Sequence, residues 1–177
     1  YSNRALARFG ELAQTAQENF VTLAYALTPG ASLRYASDED FAALTAKLKA
    51  LASVGINEFV LAFDDAPAQL QNETDRNRFQ TLAAAQQFWL RRVEEWLKAE
   101  CPTCRLSLVP ANPLNPAARQ AYLQELGPQL PASITLVSLS NESFLPEYTL
   151  SQVQEMTQWT RRQPLLWSSV QAYEQAG

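Results

Sequence analysis

The sequence predicts an α/β domain of about five parallel strands, and three observations carry that prediction. Short apolar runs rich in Val, Leu and Phe alternate strictly with longer stretches of helical period. No hairpin signal joins one run to the next, and helical crossovers give parallel strands with right-handed connections. The runs begin roughly 30 to 50 residues apart, the repeat of successive (β/α) units and not of a short solenoid. A closed eight-stranded barrel usually takes ~250 residues, and this chain has 177. Five strands therefore make either an open doubly wound sheet or part of a barrel.

Taken in order, residues 4–17 place Leu6, Phe9, Leu12, Ala13 and Ala16 on one helical face, with Ser2 as cap. Residues 20–28 are the first strand candidate, stopped by Pro29-Gly30. Ser37 and the acids Asp38, Glu39 and Asp40 open a helix whose buried stripe is Phe41, Leu44, Leu48 and Leu51, and Gly55 closes it. The run Phe59-Val-Leu-Ala-Phe63 reads as a strand buried on both faces. A long helix is expected from about residue 74 to 99, with Phe79, Leu82, Ala83, Gln86, Leu90, Val93 and Leu97 inward. Residues 105–109 form the third strand, and Pro110 stops it. Asn115 and Pro116 start a helix that should end near Leu126-Gly127. Residues 134–139 give the fourth strand, and 149–162 a helix with Leu150, Val153, Met156 and Thr157 inward. Residues 164–167 give a short fifth strand. No linker or low-complexity tract divides the chain, so residues 1–177 are read as one domain. The chain opens on Tyr1 and runs straight into a helical pattern, as expected of a segment of a longer protein.

Composition excludes several kinds of function. Net charge is -4, so electrostatics gives no reason to expect nucleic acid; Arg91-Arg92 and Arg161-Arg162 are best read as solvated helix faces. No apolar run approaches the ~20 residues that span a bilayer, and no signal-peptide pattern is visible. There is no histidine, which removes Ser-His-Asp and Cys-His catalysis and the commonest metal ligand. Cys101 and Cys104 alone make a poor zinc site, and a redox CxxC would open a helix instead of following one. A surface loop that closes a disulfide under oxidising conditions fits them best, and it leaves the compartment open.

Chemistry points to Asp64 and Asp65, where the second strand stops. Burying an unpaired carboxylate is costly and neighbouring ones repel, so a chain has little structural reason to put two at the rim of its core. The carboxyl ends of parallel strands are where ligands bind. Two readings stand side by side: an active-site pair, or one Asp capping a turn while the other meets solvent. A receiver-type phospho-acceptor needs an Asp ending another strand, but the other strand ends are Pro29, Pro110, Leu139 and Trp167. A magnesium-dependent phosphotransferase needs more carboxylates or a phosphate-cradling loop, and no Gly-x-Gly occurs. Glycoside hydrolysis needs only two carboxyl groups, one protonated and one ionised, with no metal or other cofactor. It survives the elimination. Asn112 and Asn141 end strands on the same side and either bind a ligand or shape turns. Glu142 and Glu147 lie in a polar loop after the fourth strand, and Trp89, Trp96 and Trp159 fall on helical stripes, where packing is the plainer role.

Several phrases also resemble a known family: Ala26-Leu-Thr-Pro-Gly30, Leu33-Arg-Tyr35, Asp40-Phe41 with Lys47-Leu48, and above all Gly55 through Phe63-Asp64-Asp65. Ala85-Gln86, Val109-Pro110 and Pro164-Leu-Leu-Trp167 follow in order. Together they resemble the catalytic barrel of family 84 glycoside hydrolases, the β-N-acetylglucosaminidases that include the O-GlcNAc hydrolases. The resemblance covers nearly the whole chain and implies a partial or divergent (β/α)8 barrel acting on an N-acetylglucosamine-containing glycan or glycoconjugate. It implies a substrate-assisted retaining mechanism in which the sugar's acetamido oxygen attacks the anomeric carbon. Asp64 would orient the acetamido group, and Asp65 would be the general acid. Glu174 is a possible counterpart of the acid that grips sugar hydroxyls in the family; Gly30, Asn112 and Trp167, at strand ends on the side of the pair, are candidate substrate contacts beside it. The departures are Pro113 where the family has tyrosine, Ser138-Leu-Ser140 for Trp-Thr-Gly, and Trp167-Ser168-Ser169 for Trp-Asp-Asn. The family's first two strands, with their glycine and lysine, would precede Tyr1. The alternative is a catalytically inactive relative that binds glycan or protein, or serves as a scaffold. Were five strands all, the unpaired edges would favour a homo-oligomer.

Overall fold

A computed structural model describes residues 1–139 and 149–167. The order is α1 (Asn3–Glu18), β1 (Ala24–Leu27), α2 (Asp38–Ala52), β2 (Glu58–Ala62), α3 (Glu73–Arg78), α4 (Leu82–Glu100), β3 (Arg105–Val109), α5 (Pro116–Gln129), β4 (Thr135–Leu139), α6 (Leu150–Thr160) and β5 (Leu165–Trp167). The helix starts follow from side-chain caps: Ser2, Ser37, Asn115 and Thr149 each accept a backbone N–H of the first turn.

The five strands form one sheet in the order β1-β2-β3-β4-β5, and every neighbouring pair is parallel. A doubly wound sheet reverses its strand order at a switch point. Here sequence order and spatial order coincide, the arrangement of consecutive (β/α) units in a barrel wall. The two faces of the sheet agree. Phe59, Leu61 and Phe63 join Leu106, Leu108 and Leu136 in the large core shared with the helices. The alternate residues Val60, Val109 and Val137, with Ala62, make a separate small cluster. One face carries the helical layer and the other is a fragment of barrel lumen. Among the described residues β1 and β5 are the edges, and Leu165, Leu166 and Trp167 are all exposed.

Four details differ from expectation. The first strand starts at Ala24, not Phe20, because α1 ends in a Schellman turn. Val21 N–H reaches Ala16 O at 2.8 Å and Phe20 N–H reaches Gln17 O at 3.2 Å, with Phe20 left-handed at φ 57 and wholly exposed. Gly55, φ 94, takes the same role after α2. A side chain costs about 1–2 kcal/mol in that conformation, and Phe20 packs against nothing. Phe20→Gly is therefore expected to stabilise the fold by about 1 kcal/mol, read as a higher urea midpoint; an unchanged or lower midpoint contradicts the turn.

The expected single helix over 74–99 is two. Phe79 is extended, φ -120 and ψ 133, and the Thr81 side chain accepts Ala84 N–H at 3.0 Å to start α4. The next helix passes Gly127 and ends at Gln129, since Gly127 marks a close approach to α6 and not a terminus. Leu150 is exposed at the start of α6, not inward. Arg162 ties this region together by donating to the carbonyls of Ile134, Leu130 and Pro131 at 2.9, 2.6 and 3.0 Å. Its burial pulls the guanidinium pKa down.

Trp89 is buried in the core, edge-on to Tyr35 and Phe41. Cys101 and Cys104 are joined in a disulfide at the amino end of β3. Among the described residues no helix is long and apolar enough to cross a membrane.

Candidate active site

The second strand stops at a turn that contains its two acids. Phe63 N–H makes a last ladder bond to Val109 O at 2.9 Å, and Ala66 N–H then closes a turn onto Phe63 O at 3.0 Å. Asp64 and Asp65 are the two central residues of that turn. Regular alternation is over, so both are released from the strand rule that would send them to opposite faces. Asp64 is half-buried and follows Val60 and Ala62 in register; Asp65 is exposed. Neither carboxylate has a hydrogen bond or ion pair to a described residue.

The loop from β1 to α2 lies against the outgoing side of this turn. Gly30, exposed, shares a shallow hollow with Pro29, Leu33, Tyr35, Ala66 and Pro67; neither aspartate lines it. The loop is pinned at its far end. Arg34 N–H and guanidinium both bind Asp40, each at 2.8 Å, and that hydrogen-bonded cation holds the Asp40 carboxyl below its usual pKa. Asp75, fully buried in α3, accepts the backbone N–H groups of Tyr35 and Ala36 at 2.9 Å each.

On the other side of β2, Asn112 is exposed just beyond β3, with Pro113 half-buried after it. Trp167 ends β5, half-exposed, in register with Leu139. At ~4.8 Å per strand, β5 stands on the order of 14 Å along the sheet from β2. The structure thus brings Gly30 and Asn112 to the strands flanking the acids and puts Trp167 at the end of the arc. Glu174, like Asn141, Glu142 and Glu147, lies outside the described residues. Among the described residues no group of three or more His, Cys, Asp or Glu is placed to hold a metal ion.

Sequence reasoning passed over Asp75, which sits among the charged residues of 73–78 with nothing to mark it. It saw Gln86 as a position on an apolar stripe and as part of a phrase shared with the family, not as a hydrogen-bonding group. A fully buried glutamine must have partners, and that signal pointed to the buried network described below.

The profile of the family described as beta-N-acetylglucosaminidase matches residues 1–172. The chain belongs to that family. It is 23% identical over 179 aligned residues to the protein O-GlcNAcase of Rattus norvegicus, and equally to that of Mus musculus, covering 97% of this chain and 19% of each relative. Among solved structures, a mutant of the O-GlcNAc hydrolase of Thermobaculum terrenum superposes with TM-score 0.87 at 30% identity, covering 95% of this chain and 36% of that one. The resemblance seen in the residues and the partial barrel therefore hold, and the chain spans only a minor part of its relatives' length.

Proposed function

We propose that this chain carries the acid pair of a β-N-acetylglucosaminide hydrolase. The carrying observation is the turn at Asp64-Asp65: two carboxylates with no hydrogen bond or ion pair to a described residue, at the carboxyl end of a central strand, in a member of the β-N-acetylglucosaminidase family. In this reading Asp64, nearer the sheet, accepts the sugar's acetamido N–H and turns its carbonyl oxygen toward the anomeric carbon. That oxygen attacks and an oxazoline forms while the bond to the aglycone breaks. Asp65, facing solvent, gives its proton to the departing oxygen and then takes one from the water that opens the oxazoline, restoring the original anomeric configuration. Gly30 and Asn112 flank the sugar, Trp167 is a more distant wall residue, Glu174 is a further candidate contact, and the substrate is a GlcNAc-bearing glycoconjugate.

The test uses the natural full-length protein and three chromogenic β-glycosides: the N-acetylglucosaminide, its trifluoroacetamido analogue and the glucoside. Turnover of the first, marked slowing of the second and none of the third are expected, because fluorine weakens the acetamido oxygen as a nucleophile. Equal turnover of the glucoside overturns the mechanism, and no turnover of any overturns the enzyme. Pro113, standing where the family carries a tyrosine, favours a second reading as a glycan-binding module. Saturable binding of N-acetylglucosaminides without turnover would establish it.

A further inference from the structure

Beneath the carboxyl ends of β1, β2 and β3 runs a line of buried polar groups that no step of the proposed hydrolysis uses. Among the described residues Asp75 makes no hydrogen bond or ion pair with Lys or Arg; its carboxylate is held by the backbone N–H groups of Tyr35 and Ala36 and by Asn72 Nδ2 at 2.7 Å. The Tyr35 hydroxyl accepts from Gln86 Nε2 at 3.2 Å. Gln86 Oε1 accepts from the Tyr122 hydroxyl, whose oxygen in turn accepts Ala111 N–H at 3.0 Å. All of these side chains except Asn72 are buried. The line begins in α3, fixes the β1–α2 loop, crosses α4 and α5, and ends one residue before Asn112. Burial pushes the Tyr35 hydroxyl up to about 12 and Tyr122 higher still, so neither phenol loses its proton in ordinary buffers.

We propose that Gln86 and Tyr122 are positioning residues: with Asp75 they form a frame that sets the β1–α2 and β3–α5 loops on either side of the acid turn. The acids have no hydrogen bond to a described residue, so what flanks the turn decides where they stand. A packed apolar core would fill the same space, but only directional bonds fix loop separation to fractions of an ångström, and displacements near 1 Å can cost about a hundredfold in rate. The effect on turnover rests on the hydrolase reading; the frame itself does not.

The variant is Tyr122→Phe in the natural full-length protein, which removes one oxygen and leaves the ring. Thr160→Val is the control, deleting another buried hydroxyl bond, to Met156 O, away from the frame. Both should lower Tm. Only Tyr122→Phe should reduce kcat, by about tenfold, at a temperature where both are folded and with KM little changed. It should also speed amide exchange in residues 29–36 as well as 110–114, and Thr160→Val in neither. Faster exchange confined to 110–114 overturns the frame whatever the turnover. Coupled exchange with kcat as in the parent overturns the positioning role while the hydrolase reading stands. If the parent shows no turnover, the hydrolase reading falls, the catalytic role falls with it, and exchange alone decides the frame.

Discussion

Asp65→Asn in the full-length protein is expected to slow hydrolysis of an alkyl or glycosyl β-N-acetylglucosaminide by roughly 10²- to 10⁴-fold, and of a nitrophenyl one far less. An alkoxide is a poor leaving group and needs a proton as the bond breaks; a nitrophenolate does not. Asparagine keeps the shape of the turn between Phe63 and Ala66 but cannot donate a carboxyl proton. A thousandfold loss corresponds to about 4 kcal/mol of transition-state stabilisation. Asp64→Asn acts earlier, on the acetamido group, so its loss should be of similar size for every leaving group. The measurement is kcat/KM across a leaving-group series, with a steeper dependence on leaving-group acidity in the Asp65 variant. Equal losses at Asp65 for alkyl and nitrophenyl substrates would reverse the assigned roles, and unchanged rates would remove both acids from the chemistry.

The site and the fold were legible to different depths for physical reasons. Helix starts were readable because a cap is local: Ser2, Ser37 and Asn115 sit next to the N–H groups they satisfy. The acid pair was readable because an apolar run that ends in two carboxylates has no structural need of them. Strand order was not readable from the residue pattern, since the same alternation of strands and helices serves an open sheet and a barrel wall. The break at Phe79 was hidden because the apolar stripe runs on from Phe79 to Leu82 while the backbone does not. Phe20 misled in the opposite direction, an aromatic with strand propensity in a conformation usually left to glycine. Most of all, the line from Asp75 to Ala111 joins residues 36 to 51 apart in sequence at its long steps, and pairings of that kind leave no periodic trace.

Gly127→Ala and Gly10→Ala make the same change in two helices and are expected to move stability in opposite directions. In a helix interior alanine is favoured over glycine by about 0.8–1 kcal/mol. At Gly10 an added Cβ meets the Val54 Cβ at 3.5 Å, an ordinary contact, so the propensity gain should survive. At Gly127 the added Cβ would stand 2.4 Å from the Thr160 Cα and 2.5 Å from its carbonyl oxygen. Those are backbone atoms and cannot rotate away. Relief requires α5 and α6 to part, which loosens Leu126 and Met156 and strains the Arg162 bonds to the carbonyls at the end of α5. Overpacking of this kind costs about 1–3 kcal/mol or more, so it outweighs the propensity term. A net loss of about 2 kcal/mol is expected at Gly127, a fall in Tm of about 4–8 °C at this chain length, against a small rise for Gly10→Ala. A rise in both would mean that the helices do not approach as closely as Gly127 permits, and a fall in both would mean that α1 is held by contacts at Gly10 tighter than those to Val54.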